Sequence, residues 1–400
     1  MINEVDFKQL VAKAQKETRE VVKKVGDKLK EYRDKYFSVI FLLLAIFFSL
    51  ESCQHKKANR SWELVDFNKI PGETLLNNFF DALSKYRFNQ ILVLNKEHVI
   101  LLGDNSGDSD EDYAAKEKEA IVFVSADGGK TLKKRVLGKG TLREAVSVGR
   151  IVVLVNENGG SSQLIKALPS FEKWEVIQEF KNEEINNINF YSTTVGVASF
   201  YRETSDQEAK SEIRYTLDGG KTWKNMGLHV SDGFGAYVFA SANEIEYIEA
   251  NQLIRFNFIT GERTVSSQKI APEGYVCEGS YFRDPVSRET YTYLEKASNK
   301  ELSLKNLKTQ EVTPLPKGSD HLEIFGDYYH TMVKEGAYYN YVWTADKGKT
   351  WHTEELRDFF VTPSPMGYYG KGYTYALVTL FNAKPEAKKG GRFAIRKPSQ

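Results

Sequence analysis

Three octapeptides constrain the fold of this chain more than any other feature. Ser125-Ala126-Asp127-Gly128-Gly129-Lys130-Thr131-Leu132, Thr216-Leu217-Asp218-Gly219-Gly220-Lys221-Thr222-Trp223 and Thr344-Ala345-Asp346-Lys347-Gly348-Lys349-Thr350-Trp351 share Ser/Thr-x-Asp-x-Gly-x-Thr-Trp, with Leu132 the one departure. Each follows a run of strand character and precedes another. In such a turn the carboxylate accepts bonds from following backbone N–H groups and from the Thr hydroxyl. The second Gly takes positive φ, and the Trp folds back to cover the turn. Asp127, Gly129, Thr131, Asp218, Gly220, Thr222, Trp223, Asp346, Gly348, Thr350 and Trp351 therefore read as structural hairpin residues. The three aspartates lie 91 and 128 positions apart, which divides into two and three units of about 43 to 46 residues, the length of a repeat built from four short strands.

The octapeptides resemble the Asp-box, or BNR repeat, of sialidases, sortilin-type receptors and a photosystem assembly factor, all β-propellers in which the box links the third and fourth strands of a blade. The resemblance covers roughly residues 60 to 400 and implies an all-β fold, a seven-bladed β-propeller. Extending the period gives blades near 88–138, 141–180, 185–227, 230–267, 270–313 and 318–361. Strands between Met366 and Lys397 and the early run Ser61-Trp62-Glu63-Leu64-Val65-Asp66-Phe67 are left to close a seventh from both chain ends. The 13% aromatic content, with 10 Pro and 4 Met, is that of a chain rich in strand formers. Leu75, Leu76, Phe79, Phe80, Leu83 and Tyr86 form a helical stripe after Pro71-Gly72, so a short helical insertion is expected over 72–86.

Before the propeller, the chain divides into an amphipathic charged helix over 1–35 and a hydrophobic signal or anchor segment over 36–53, with the propeller spanning 54–400. The first carries ten Lys/Arg against seven Asp/Glu. Tyr36 to Leu50 hold no charge and span roughly 22 Å as a helix, short of the roughly 30 Å hydrocarbon core. Three readings stay open. The run is the apolar stretch of an export signal, with Leu50-Glu51-Ser52-Cys53 resembling a lipoprotein box in which Cys53 is lipidated, or it is a transmembrane signal anchor. A buried core helix is the third. Both membrane readings place the propeller on the periplasmic or extracytoplasmic side, membrane-associated through 36–50. No disulfide is expected between Cys53 and Cys277.

Charge and composition remove several functions. With 55 Lys+Arg against 54 Asp+Glu, nothing favours a nucleic-acid partner. Two Cys and six His give no metal-ligand spacing, and no cofactor is expected. Gly-Lys-Thr recurs in the octapeptides, but Val124, Tyr215 and Trp343 stand where a phosphate loop needs its first Gly. The run Asp104 to Asp112 reads as a solvated acidic loop or an acidic contact surface, since Tyr113 stands where a calcium loop turns on Gly.

A sialidase needs three arginines around the substrate carboxylate, a Tyr nucleophile with a Glu partner, and an Asp acid. The nearest string to its Phe-Arg-Ile-Pro motif is Phe282-Arg283-Asp284-Pro285, with Arg214 and Arg357 as the imaginable partners. The adjacent pairs Tyr328-Tyr329, Tyr338-Tyr339 and Tyr368-Tyr369 each turn one ring outward if they lie in strands, and outward tyrosines are binding anchors. His330 lies near them without a nucleophile or orienting acid. The expected function is that of a non-enzymatic, exported, membrane-tethered propeller that binds a protein: an assembly factor, a receptor, or an immunity protein neutralising a secreted toxin. The alternative is a sialidase-like or other glycan-active enzyme, in which a glycan is the ligand.

Overall fold

The computed structural model describes residues 20, 23–25, 27, 28, 30, 62–66, 86–106, 117–203, 209–229, 237–336, 338–356, 359–369, 373–380 and 392–397, and the chain separates into two units, Met1–Arg60 and Ser61–Gln400. In the first, Glu20, Lys23, Lys24, Val25, Asp27, Lys28 and Lys30 are helical and exposed. Among the described residues no helix is long and apolar enough to cross a membrane, so the expected transmembrane helix is not among them. The helical positions described are charged but for Val25, and charge at this density is costly in hydrocarbon. Residues 36–50, Cys53 and 72–85 of the helical insertion lie outside the described residues.

The second unit, where described, is built of strands. β1 (Trp62–Asp66) stands alone in sequence. Then come β2 (Arg87–Val93), β3 (Val99–Asp104), β4 (Glu119–Ser125) and β5 (Lys133–Lys139), followed by β6 (Thr141–Val148), β7 (Ile151–Asn158), β8 (Ser161–Ala167) and β9 (Trp174–Phe180). The third group is β10 (Glu184–Phe190), β11 (Gly196–Glu203), β12 (Ala209–Thr216) and β13 (Lys224–His229); the fourth is β14 (Tyr237–Ser241), β15 (Glu244–Glu249), β16 (Gln252–Asn257) and β17 (Arg263–Lys269). The fifth is β18 (Tyr275–Arg283), β19 (Thr290–Lys296), β20 (Leu302–Asn306) and β21 (Val312–Pro314), and the sixth β22 (Ser319–Phe325), β23 (Tyr328–Glu335), β24 (Tyr338–Thr344) and β25 (His352–Glu355). β26 (Phe359–Tyr369), β27 (Tyr373–Leu380) and β28 (Arg392–Arg396) end the chain.

Six of the four-stranded sheets are antiparallel meanders of consecutive strands. The expected seven blades are corrected accordingly: consecutive units number six, the number the period itself gives, and the remaining four strands form a composite sheet ordered β1-β28-β27-β26. In it Trp62 faces Arg396 and Asp66 faces Arg392. β26 also begins at Phe359, taking residues that the period assigns to the sixth unit.

Strand alternation explains how the sheets stack. β3 reads Val-Ile-Leu-Leu-Gly-Asp and is buried throughout, because a neighbouring sheet covers each of its faces. Val99 and Leu101 pack with Ile121 and Phe123 against Tyr375 and Ile395 of the composite sheet. Ile100 and Leu102 face the other way, packing with Val122 and Val124 against Leu142, Val152 and Leu154 of the next sheet. The same division recurs around the ring, as where Val197 and Ile213 meet Phe239 and Ile245 and where Tyr291 and Leu304 meet Ile324 and Tyr329. Fourth strands lie at the rim and read as polar: β17 has no buried residue. First strands meet at the axis, β2 beside β26 and β6, β6 beside β10, β14 beside β18, and β22 beside β26.

A buried polar cluster fastens the composite sheet to the sixth. The Glu354 carboxylate on β25 accepts bonds from the indoles of Trp62 on β1 and Trp343 on β24, each at 3.1 Å. It also accepts from Arg396 on β28, whose Nε lies 3.1 Å from both oxygens. The guanidinium lies over the rings of Tyr341 and Trp343 at 4.7 and 5.2 Å, and Trp62 meets Tyr341 edge-on at 5.6 Å. Both ends of the propeller chain are thus tied to one carboxylate.

Candidate functional site

Each octapeptide links the third and fourth strands of its sheet. In the first, Asp127 Oδ1 accepts from Ser125 Oγ at 2.8 Å and from the Thr131 N–H at 2.9 Å, and Oδ2 accepts from Thr131 Oγ1 at 2.7 Å. The Gly129 N–H donates to Ser125 Oγ at 2.7 Å. Thr216, Asp218, Gly220 and Thr222 repeat this network, as do Thr344, Asp346, Gly348 and Thr350. The Thr222 hydroxyl and the other donors on Asp218 lower its carboxyl to about 2. Both middle positions take positive φ, 74° and 87° at Gly128 and Gly129, and Lys347 adopts 61° where the other two octapeptides have Gly. The first of these N–H groups donates to the first-to-second-strand turn of its own sheet: Gly128 to Glu97 O at 2.7 Å, Gly219 to Thr194 O at 2.8 Å and Lys347 to Asp327 O at 3.0 Å. Trp223 donates its indole N–H to Gly220 O at 3.0 Å and packs between sheets against Phe180 and Phe200.

Since every sheet meanders from axis to rim, its first and third turns share one end of the propeller, the octapeptide end. Large apolar side chains of these turns stand exposed there, among them Leu168 at 43%, Tyr191 at 53%, Leu217 at 45%, Ile259 at 48% and Val286 at 64%.

Beneath this end β6, β10, β14 and β18 line an axial cavity of about 900 Å³ whose wall includes Glu144, Tyr191, Tyr237, Phe239, Arg283 and Arg288. Glu144 accepts the Ile188 N–H at 3.1 Å, yet burial raises its carboxyl to about 7. Tyr237 donates to Val197 O at 3.0 Å. Behind the wall, the buried Glu246 carboxylate on β15 accepts from Tyr281 Oη at 2.7 Å and from Arg255 Nη2 at 2.5 Å, with Arg283 Nη2 at 3.4 Å. Arg283 also donates to Phe239 O, while its Nε is buried without a hydrogen-bond partner. Asp284 holds the turn that follows, accepting the N–H groups of Val286, Ser287 and Gly326 at 3.0, 2.8 and 2.9 Å. That turn carries the exposed Arg288, at φ 63°, to the cavity rim.

The expected candidates distribute as follows. Arg283 lines the cavity, but Arg214 lies on the third sheet, engaged by Glu183 and Glu212 at 2.8 and 3.0 Å and stacked on Phe200 at 4.4 Å. Arg357 lies outside the described residues. Of the tyrosine pairs, Tyr329 is buried against Tyr291, and Tyr328 stacks flat on Trp343 at 5.8 Å. The backbones of Tyr328, Tyr329, Tyr368 and Tyr369 lie at the octapeptide end, whereas Tyr338 and Tyr339 begin β24 at the opposite end. His330 is fully buried, its Nδ1 2.8 Å from Tyr341 Oη, and burial with the nearby Arg396 charge lowers it to about 3. Asp104 accepts from Thr141 Oγ1 at 2.8 Å and braces two sheets; residues 107–112 of the acidic loop lie outside the described residues. Cys277 is a free, half-buried thiol. Among the described residues no cluster of His, Cys, Asp and Glu could hold a metal.

Glu144, Glu246 and Tyr281 carry no sequence signal, because a single polar residue in a strand does not declare which face it takes. A second turn repeat did carry one. Asn257 and Asn306, six-residue turns of the form Asn-x-x-Thr-x-Glu, accept the N–H groups two and three residues on, replacing the octapeptide in the fourth and fifth sheets.

No family model matches the chain, and no curated protein does. Solved structures do. The β-propeller domain of the Trilobed protease from Pyrococcus furiosus superposes with a TM-score of 0.52 at 10% identity, over 78% of this chain and 96% of that one. An acylaminoacyl peptidase from Pyrococcus horikoshii does so at 0.53 and 9% identity over 80% of this chain, which spans about half, 54%, of the peptidase. YCF48 from Cyanidioschyzon merolae aligns at 0.47 and 13% identity, over 84% and 98%. At these identities the likeness shows the fold alone, a β-propeller.

Proposed function

We propose that this chain is a binding module without catalytic activity, which takes a protein partner at the octapeptide end of its propeller. The carrying observation is the set of exposed apolar side chains on that end, Tyr191, Leu217, Ile259 and Val286, with Tyr191 also in the wall of a cavity lined by aromatic rings and two arginines. Exposed apolar groups gathered on one end beside a polar cavity are the anatomy of a recognition surface. Residues with chemical potential elsewhere serve the framework: Arg214 is taken by two carboxylates, and His330 is sealed against Tyr341. Tyr328, Tyr368 and Tyr369 extend the same end by strand position. The module is exported and tethered at the extracytoplasmic face of a membrane, with Cys53 as the lipidation site. Assembly factor, receptor and immunity protein are the roles this describes.

Affinity capture with the tagged full chain, from the cells that make it and from their secreted proteins, tests the reading. A stoichiometric protein partner is expected, retained by the parent chain and reduced at least about ten-fold in Tyr191→Asp/Val286→Asp, because a charge introduced at a packed apolar contact costs more than the 1.4 kcal/mol that sets a factor of ten. Capture indifferent to both substitutions overturns it. Turnover of a fluorogenic sialoside that disappears in Arg283→Ala would replace it with a glycan-active enzyme.

A further inference from the structure

Resting on the protein-partner reading, we infer that the axial cavity is a receptor for a carboxylate carried on a short peptide segment, with Arg283 and Arg288 as the groups that hold it. Charge accounting at the cavity wall leads there. Glu246 answers two guanidinium groups and a phenol, Arg255, Arg283 and Tyr281, so its acceptor sites are spoken for. Glu244, the further carboxylate of that corner, lies toward Arg255 on the flank of the fourth sheet. Arg283 is left with one neutral backbone acceptor, Phe239 O, a shared carboxylate at 3.4 Å, and a buried Nε that has no acceptor. A guanidinium donates five N–H bonds in a planar fork, and a buried one left unanswered is costly.

Arg288 makes no ion pair among the described residues and stands at the mouth of the same cavity. A planar anion entering from the octapeptide end meets the rim arginine first and the half-buried Arg283 fork next, the arrangement that suits a carboxylate. Glu144, the acid on the facing strand, is biased by burial toward its neutral form, which weakens its repulsion of such a group. The space, about 900 Å³, lies within the roughly 300–1,000 Å³ of ligand pockets. Tyr191, Tyr237 and Phe239 in its wall provide faces for the residues flanking the carboxylate.

The test is calorimetric titration of the full chain in detergent with three peptides: acetyl-Gly-Phe-Gly-Glu amide, whose carboxylate is a side chain; acetyl-Gly-Gly-Phe-Gly with a free carboxyl end; and acetyl-Gly-Phe-Gly-Gln amide, which has none. At least one carboxylate peptide is expected to bind about ten-fold or more tighter than the glutamine peptide, and which one does identifies the source of the group. Arg283→Lys, which keeps the charge and removes the fork, is expected to lose about ten-fold, the factor set by about 1.4 kcal/mol. Arg288→Gln, at an exposed position that leaves the fold untouched, loses several-fold. Equal binding of the three peptides, no binding, or unchanged affinity in Arg288→Gln overturns the inference. Failure here with rim-dependent partner capture intact removes the cavity site alone. Discrimination among the peptides with capture indifferent to Tyr191→Asp/Val286→Asp removes the protein-surface reading and leaves the carboxylate site standing.

Discussion

Replacing Arg396 by Met tests whether the chain ends are locked through Glu354. The guanidinium makes two 3.1 Å contacts from Nε and one of 2.5 Å from Nη2 to that carboxylate. Its side chain is 2% exposed and that of Glu354 16%. Met fills much of the volume over Tyr341 and Trp343 but leaves Glu354 charged, without its guanidinium partner. Removing one partner of a buried pair costs about 3–5 kcal/mol. Unfolding entropy of roughly 2.1 cal/mol/K per residue, over the unit Ser61–Gln400, is about 0.7 kcal/mol/K. The melting temperature should therefore fall by about 4–7 °C in differential scanning calorimetry. Glu354→Gln alone should also destabilise, and the double variant should lose less than the sum of the singles by about 0.5–3 kcal/mol, since the two residues form one contact. Additive singles, or a shift below about 1 °C in Arg396→Met, would refute the lock.

Three further outcomes follow from named contacts. Glu144 has a folded carboxyl at about 7 against 4.5, so the native state holds its proton longer than the unfolded chain. The resulting penalty is absent below about pH 4.5 and complete above about pH 7. Glu144→Gln should therefore match the parent in urea unfolding at pH 4 and exceed it at pH 8 by up to about 3 kcal/mol. Lys347→Gly relieves a left-handed residue at φ 61° while giving up only long ion pairs of 3.8 and 3.7 Å; a gain of about 1 kcal/mol is expected in the same assay. Asn306→Ala deletes the acceptor for the N–H groups of Lys308 and Thr309 at 2.9 and 3.1 Å. It should cost about 1 kcal/mol, with faster amide exchange confined to that turn.

Much of the architecture was legible because turns are local. The octapeptides declare their hydrogen bonds in their own residue types, and the intervals between Asp127, Asp218 and Asp346 locate the sheets between them. The unbroken apolar runs of β3 and β7 mark strands buried on both faces. The fourth and fifth sheets were harder to read because their turns are built on Asn257 and Asn306 and lack the Asp and Trp of the octapeptides. The candidate site was mostly illegible. Phe282-Arg283-Asp284-Pro285 stood out only for its departure from a motif, and its roles, a cavity arginine followed by a turn-holding aspartate, depend on Glu246 and Phe239 from another sheet. Glu144 and Tyr281 are single polar positions in strands, and which of them reach the axis is decided by sheet stacking rather than by any local pattern.

The composite sheet makes completion of the ring the last event in the life of the nascent chain. β1 is made first and β28 last, so the pairing of Trp62 with Arg396 closes a loop of nearly the whole propeller, a contact that carries a large entropic cost and slows folding. Until Tyr375 and Ile395 arrive, Val99, Leu101 and Phe123 have no cover on one side. A chain interrupted before β27 therefore presents a bare apolar sheet face, open to aggregation or to proteolysis. Truncations at the carboxy terminus should consequently be far more damaging than their few residues of lost contact would imply, and a cell making this protein gains from holding it unfolded until synthesis is finished.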